Sequence, residues 1–178
     1  MAALGLDTCG THTEMKLMAN NELCLLETAA RFPGSMAVTL AETVFGMDMV
    51  SLLAAELLGE QQPYPDAMLV TGKGAAGVLY LIAANTAGKP WASLPPLYWE
   101  NLDWASLVSS ETRVEVIRSQ TIPNGSPMPA YSPGRGALGY AGAVYLTSRD
   151  PVTLLADSDR IMNGLESAAC AAASRARG

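Results

Sequence analysis

The chain has 178 residues, 49% of them hydrophobic and 16% charged, with a formal net charge of −6. This suits one globular domain or two small lobes with a real core, and it excludes a disordered chain. An acidic chain with scattered Lys and Arg has no electrostatic footprint for nucleic acid, and no apolar run reaches the ~20 residues of a membrane helix. No nucleic-acid or membrane partner is therefore expected. Cys9, Cys24 and Cys170 are odd in number and far apart, with no CxxC, which argues against a disulfide framework. One histidine, His12, makes a zinc site a poor fit. The N-terminus lacks the pattern of a signal peptide, and a reducing, cytoplasmic setting is the expectation.

Met1 to Leu6 reads as the end of a helix, with Gly5 and Gly10 bracketing the exit into a strand. Cys9 to Arg31 reads as a β-hairpin around a two-residue turn at Asn20-Asn21, because Asn accepts positive φ. Partner numbers then sum to 41, and Glu14 falls opposite Glu27. Alternation puts His12, Glu14, Lys16, Leu25, Glu27, Ala29 and, if the strand continues, Arg31 on one face. Met15, Leu17, Cys24 and Leu26 take the other. Two carboxylates directly opposite repel. Either a divalent cation with hard oxygen ligands neutralises them, or they are a solvated pair beside Lys16 and Arg31.

After Phe32-Pro33-Gly34, Ser35 is placed to cap a helix over Met36–Phe45, with Gly46 stopping it. Asp48 caps a second helix that Gly59 ends. Neither carries a basic residue, so core packing is expected rather than DNA binding. Residues 1–60 form a first lobe, 61–66 a Pro-rich linker and 67–166 a second lobe, with an alanine-rich tail over 167–178 read as a frayed helix extension. Gly72 to Gly77 spells GxGxxG. It is a dinucleotide loop only if a helix follows; otherwise it is a Gly-rich connection between apolar strands. Trp91, Tyr98, Trp99 and Trp104 cover a ligand or plug a small sheet. Thr112–Ile122 and Leu138–Thr147 read as strands, Pro123-Asn124-Gly125 as a turn, and Asp150-Pro151 as a helix start. The order of elements is α+β.

The residues Thr11-His12-Thr13-Glu14, Leu26-Glu27-Thr28-Ala29-Ala30-Arg31 and Gly34 resemble the end of an ATP-grasp domain. The nearest branch is the carboxylate–amine ligases, such as L-amino-acid ligases and carnosine-synthase-like enzymes. Gly46-Met47-Asp48 and the second lobe, with its Arg135 to Tyr140 stretch, fit the segments that follow in that family. The resemblance implies a C-terminal ATP-grasp lobe (antiparallel hairpin plus two helices) and a small mostly-β lobe with a closing helix. It implies ATP and Mg²⁺ (or Mn²⁺) as cofactors, with Glu14 and Glu27 holding the metal on the ATP phosphates. It implies that Arg31 steadies the transferring phosphoryl or the acyl phosphate and that Gly34 approaches the substrate carboxylate; His12, one strand-position pair from Glu14, either lines this site or packs in the fold. The substrates implied are a carboxylate and an amine, both amino acids.

Two departures stand out. Ala29 occupies the place of a frequent asparagine ligand, and Pro33 that of a second glycine. The family also has an N-terminal domain and a central lobe that cannot be found here. The expectation is therefore a C-terminal portion of such a ligase, inactive by itself, whose docking face invites self-association into a homo-oligomer. A non-catalytic remnant or interaction module with the same fold is the alternative.

Overall fold

The computed structural model describes residue 5 and residues 7–34, 36–60, 72–134 and 139–177. The helix end at Met1–Leu6 (apart from Gly5), the Ser35 cap, the linker over 61–66, the run before Gly72 and residues 135–138 lie outside them. The chain divides into two compact units, Met1–Lys73 and Gly74–Gly178.

The first unit holds an antiparallel pair, β1 (His12–Leu17) and β2 (Leu23–Ala29), then α1 (Ala37–Phe45) and α2 (Met49–Leu57). The two helix axes differ by 99°. Gly46 at φ 70° closes α1, its N–H donating to Glu42 O. Asp48 caps α2 as expected, accepting from Val50 N at 3.1 Å and from Ser51 N at 3.0 Å. The Ser51 hydroxyl also donates to Asp48 Oδ2, and that bond first, with the backbone bonds, holds the Asp48 carboxyl below its usual range. Among the described residues no single helix is long and apolar enough to cross a membrane.

The second unit is built on β3 (Ala75–Ile82), β5 (Arg113–Val116) and β7 (Tyr140–Ser148), an antiparallel sheet in the order β3-β7-β5. A two-residue pair, β4 (Pro96–Leu97) with β6 (Ser126–Pro127), and α3 (Pro151–Arg175) complete it. The core joins Leu81 and Leu97 to Val144 and Leu146 of the sheet and to Ile161 and Leu165 of α3. Trp99 is buried in it and donates Nε1–H to Ile122 O at 2.9 Å. Trp91, Tyr98 and Trp104 pack against the same core, so this aromatic segment fills the fold.

Three expectations change. The GxGxxG stretch opens a strand rather than a helix: Gly77 pairs with Leu146 inside the sheet, which removes the dinucleotide reading. Gly74 is needed for another reason, since at φ 155° a Cβ there would lie 2.7 Å from Ser148 O. The strand expected over Thr112–Ile122 stops at Val116. A 3₁₀ turn over Arg118–Gln120 carries the chain outward, and Ile122 N returns to Ala141 O at 2.7 Å. Gly142 gives that detour room, because a Cβ there would meet Thr121 Cγ2 at 2.6 Å and Trp99 at 3.0 Å. The alanine-rich tail is not frayed. α3 runs unbroken for 25 residues, and Ala169, Ala172 and Ala173 are buried on it. Alanine needs little room, so the helix lies close on its neighbours there.

Inside this unit Asp157 is a fully buried carboxylate. It accepts from Ser109 N at 3.1 Å, Ser109 Oγ at 2.7 Å and Arg160 Nη1 at 2.7 Å. Burial works to raise its pKa. Thr112, Ser109 and Arg160 outweigh that and hold the carboxyl below its usual range. The group ties the turn before β5 to α3, a structural role that the sequence alone did not reveal.

Candidate functional site

The hairpin brings the expected acidic pair together, by a different route from the one anticipated. Its turn is not a two-residue one at Asn20-Asn21. Met18 N donates to Glu22 O and Asn21 N to Met18 O, both at 2.9 Å, and Asn21 sits at φ 63°. The loop therefore has three residues, with Asn21 in the left-handed position that asparagine tolerates. Asn20 supports it, donating to Glu22 Oε2 at 2.8 Å and accepting from Glu22 N at 3.2 Å.

A longer turn shifts the ladder by one residue. Leu17 pairs with Leu23, Lys16 with Cys24 and Met15 with Leu25. A register shift between Glu14 and Met15 then leaves Leu26 over, and the ladder resumes as Glu14 with Glu27, Thr13 with Thr28 and His12 with Ala29. The two glutamates are thus cross-strand partners, as the sequence implied. Nearer the turn the face assignment is corrected. Leu25 stands opposite Met15, away from the carboxylates, and Cys24 stands opposite Lys16.

Glu14 and Glu27 are both exposed. His12 Nε2 lies 3.9 Å from Glu14 Oε1, and among the described residues neither carboxylate is ion-paired to Lys16 or Arg31. His12 Nδ1 is buried without a hydrogen-bond partner. Arg31 lies beyond the strand, which ends at Ala29. It is exposed, and its Nη1 donates to Phe32 O at 3.0 Å. Gly34 is exposed as well: its carbonyl accepts from Ala37 N at 3.1 Å, and a Cβ would meet nothing within 4 Å. The structure thus places His12, Glu14 and Glu27 together on one ribbon, with Arg31 and Gly34 on the loop that leaves it.

Two exposed, opposed carboxylates offer hard oxygen donors suited to Mg²⁺ or Mn²⁺. Among the described residues no group of three His, Cys, Asp or Glu gathers as a metal site. The pair fits a cation only as part of its shell, with the remaining ligands coming from outside this set. The sequence reading missed the packing beside the pair. A Cβ on Gly10 would lie 2.7 Å from Phe32 Cε1, so the entry to β1 and the loop after β2 press together. They border an apolar hollow of about 260 Å³ lined also by Cys9, Met47, Leu52 and Leu53. The glycine next to Cys9 was the available clue.

No family model matches the chain. Over 67 residues, 37% of its length, the chain is 48% identical to the alanine--anticapsin ligase of Bacillus subtilis (strain 168). It is 45% identical over the same length to the enzyme of that name from Bacillus amyloliquefaciens. The match spans 14% of the length of each relative. The similarity is thus to a short stretch of ligases, while the α+β architecture is what the structure shows.

Proposed function

We propose that this chain supplies the metal-and-phosphate face of an ATP-dependent carboxylate–amine ligase of the ATP-grasp kind. The observation that carries the reading is the cross-strand pairing of Glu14 with Glu27, exposed and unmatched by Lys or Arg among the described residues. A structural role would favour a neutralised pair, since directly opposed like charges cost stability. Similarity to the alanine--anticapsin ligases supports the ligase class.

In this reading a carboxylate oxygen of one amino acid attacks the γ-phosphorus of ATP, and ADP leaves. The amine nitrogen of the second substrate then attacks the acyl carbon, loses a proton and releases phosphate. Both reacting partners of the first step are anions. Mg²⁺ (or Mn²⁺), when bound, neutralises charge on the phosphoryl group in transfer. Glu14 and Glu27 hold that ion from the protein side. Arg31 is released from Phe32 O to steady the phosphoryl group or acyl phosphate, a task suited to a planar, permanently charged fork of donors. His12 and Gly34 border the substrate carboxylate. Ala29 adds no ligand, so these two carboxylates are this ribbon's metal ligands.

The chain spans a small part of the relatives it matches, and it is expected to bind Mn²⁺–ATP weakly without turning it over. Calorimetric titration of Mn²⁺–ATP tests this: binding disappears in Glu14→Gln and Glu27→Gln. Unchanged binding in both variants removes the pair from the metal role. Rapid ADP release by the chain with amino acids present would overturn the expectation that it is inactive by itself.

A further inference from the structure

The hairpin runs in two registers that meet at the carboxylate pair. From His12 with Ala29 to Glu14 with Glu27, partner numbers sum to 41; from Met15 with Leu25 to Leu17 with Leu23 they sum to 40. The bulge at Leu26 separates the two zones, so the turn governs the register on its own side and does not impose it across the break. On the far side, Glu14 must be held opposite Glu27 against their repulsion. Ala29 offers His12 no side-chain hydrogen bond. The remaining pair is Thr13 with Thr28, whose hydroxyls lie 2.9 Å apart.

These threonines adjoin the carboxylates in sequence on both strands. By alternation their side chains lie on the opposite face, clear of anything the carboxylates hold. Among the described residues, this is the hairpin's side-chain hydrogen bond between the two strands; the Asn20–Glu22 bonds lie within the turn, and Cys24 Sγ donates to its own neighbour, Leu25 O. We propose that the Thr13–Thr28 pair is the clasp that sets the register of Glu14 and Glu27, making both threonines positioning residues for the cation. The inference rests on the metal reading above.

The test follows Mn²⁺ alone, through paramagnetic broadening of the Glu14 and Glu27 amide signals in the intact chain. Thr28→Val keeps the β-branched shape and removes the hydroxyl. It is expected to weaken Mn²⁺ binding by about two- to fivefold, the range of a cross-strand threonine pair, with circular dichroism unchanged. Thr28→Ser retains a hydroxyl and most of the affinity. Adding Thr13→Val to Thr28→Val weakens binding no further, since one bond is lost once. Adding Asn21→Gly favours the positive φ at the turn but leaves the Thr28→Val deficit in place, because the bulge isolates the two registers. Wild-type Mn²⁺ binding by Thr28→Val, or its repair by Asn21→Gly, overturns the clasp. If instead Glu27→Gln leaves the broadening unchanged, the metal reading falls and the clasp's role falls with it.

Discussion

The hairpin and α3 are both rich in apolar residues, yet they end in opposite surroundings. Met15, Leu17, Leu23 and Leu25 share a face by register and are 54%, 64%, 67% and 58% exposed. Ile161, Leu165 and Ala169 on α3 are fully buried. The difference lies in what each element has beside it. α3 has a three-stranded sheet to cover, whereas a two-stranded ribbon has no second layer of its own. Hydrophobic character marks a face for burial, but only a neighbouring layer carries it out. The apolar face of the ribbon that bears the candidate site therefore adds little burial, whereas α3 buries its own in the core of the second unit.

That contrast can be broken by substitution, most strongly at α3. Ile161→Ala should cost about 3–4 kcal/mol of stability in denaturant unfolding, the cost of a cavity in a closed core. Asp157→Asn comes next, at about 2–3 kcal/mol, because Ser109 and Arg160 lose the charged acceptor they share. The pH dependence has a definite sign. A carboxyl held below its unfolded value stabilises the fold above an unfolded pKa of about 3.9, and that stability is lost as pH falls through the folded value. Acid titration of the wild type should thus loosen the second unit below about pH 4, and Asp157→Asn should flatten this response. Gly142→Ala should cost about 1–3 kcal/mol, since Thr121 and Trp99 leave no space for a Cβ.

At the hairpin, effects on stability should be small. Leu25→Ser should change unfolding free energy by less than about 0.5 kcal/mol, as for an exposed surface site. A loss comparable to that of Ile161→Ala would show that the apolar face is covered in solution. Glu14→Gln should raise stability by a few tenths of a kcal/mol, about the cost of opposed like charges, while abolishing Mn²⁺–ATP binding. A site kept against stability should show that opposition.

The sequence by itself determined the features that depend on short-range chemistry. Asp48 and Asp150 had to cap helices because each is followed by free backbone N–H groups. Thr153 N donates to Asp150 at 2.8 Å, and the Thr153 hydroxyl holds that carboxyl below its usual range. Pro123-Asn124-Gly125 had to turn, with Gly125 at φ 80°. The opposition of Glu14 and Glu27 was legible because two errors cancelled: a turn one residue longer than expected and a bulge at Leu26 restore the same pairing. What only the tertiary structure decided depends on distant partners. Gly77 reads as part of a nucleotide loop until β7 pairs with it. Thr112–Ile122 reads as one strand until Gly142 admits Thr121, and the terminal alanines read as a loose end until the core buries them. Local chemistry fixes caps and turns over a few residues; register, detours and burial are set by surfaces that meet only once the chain has folded.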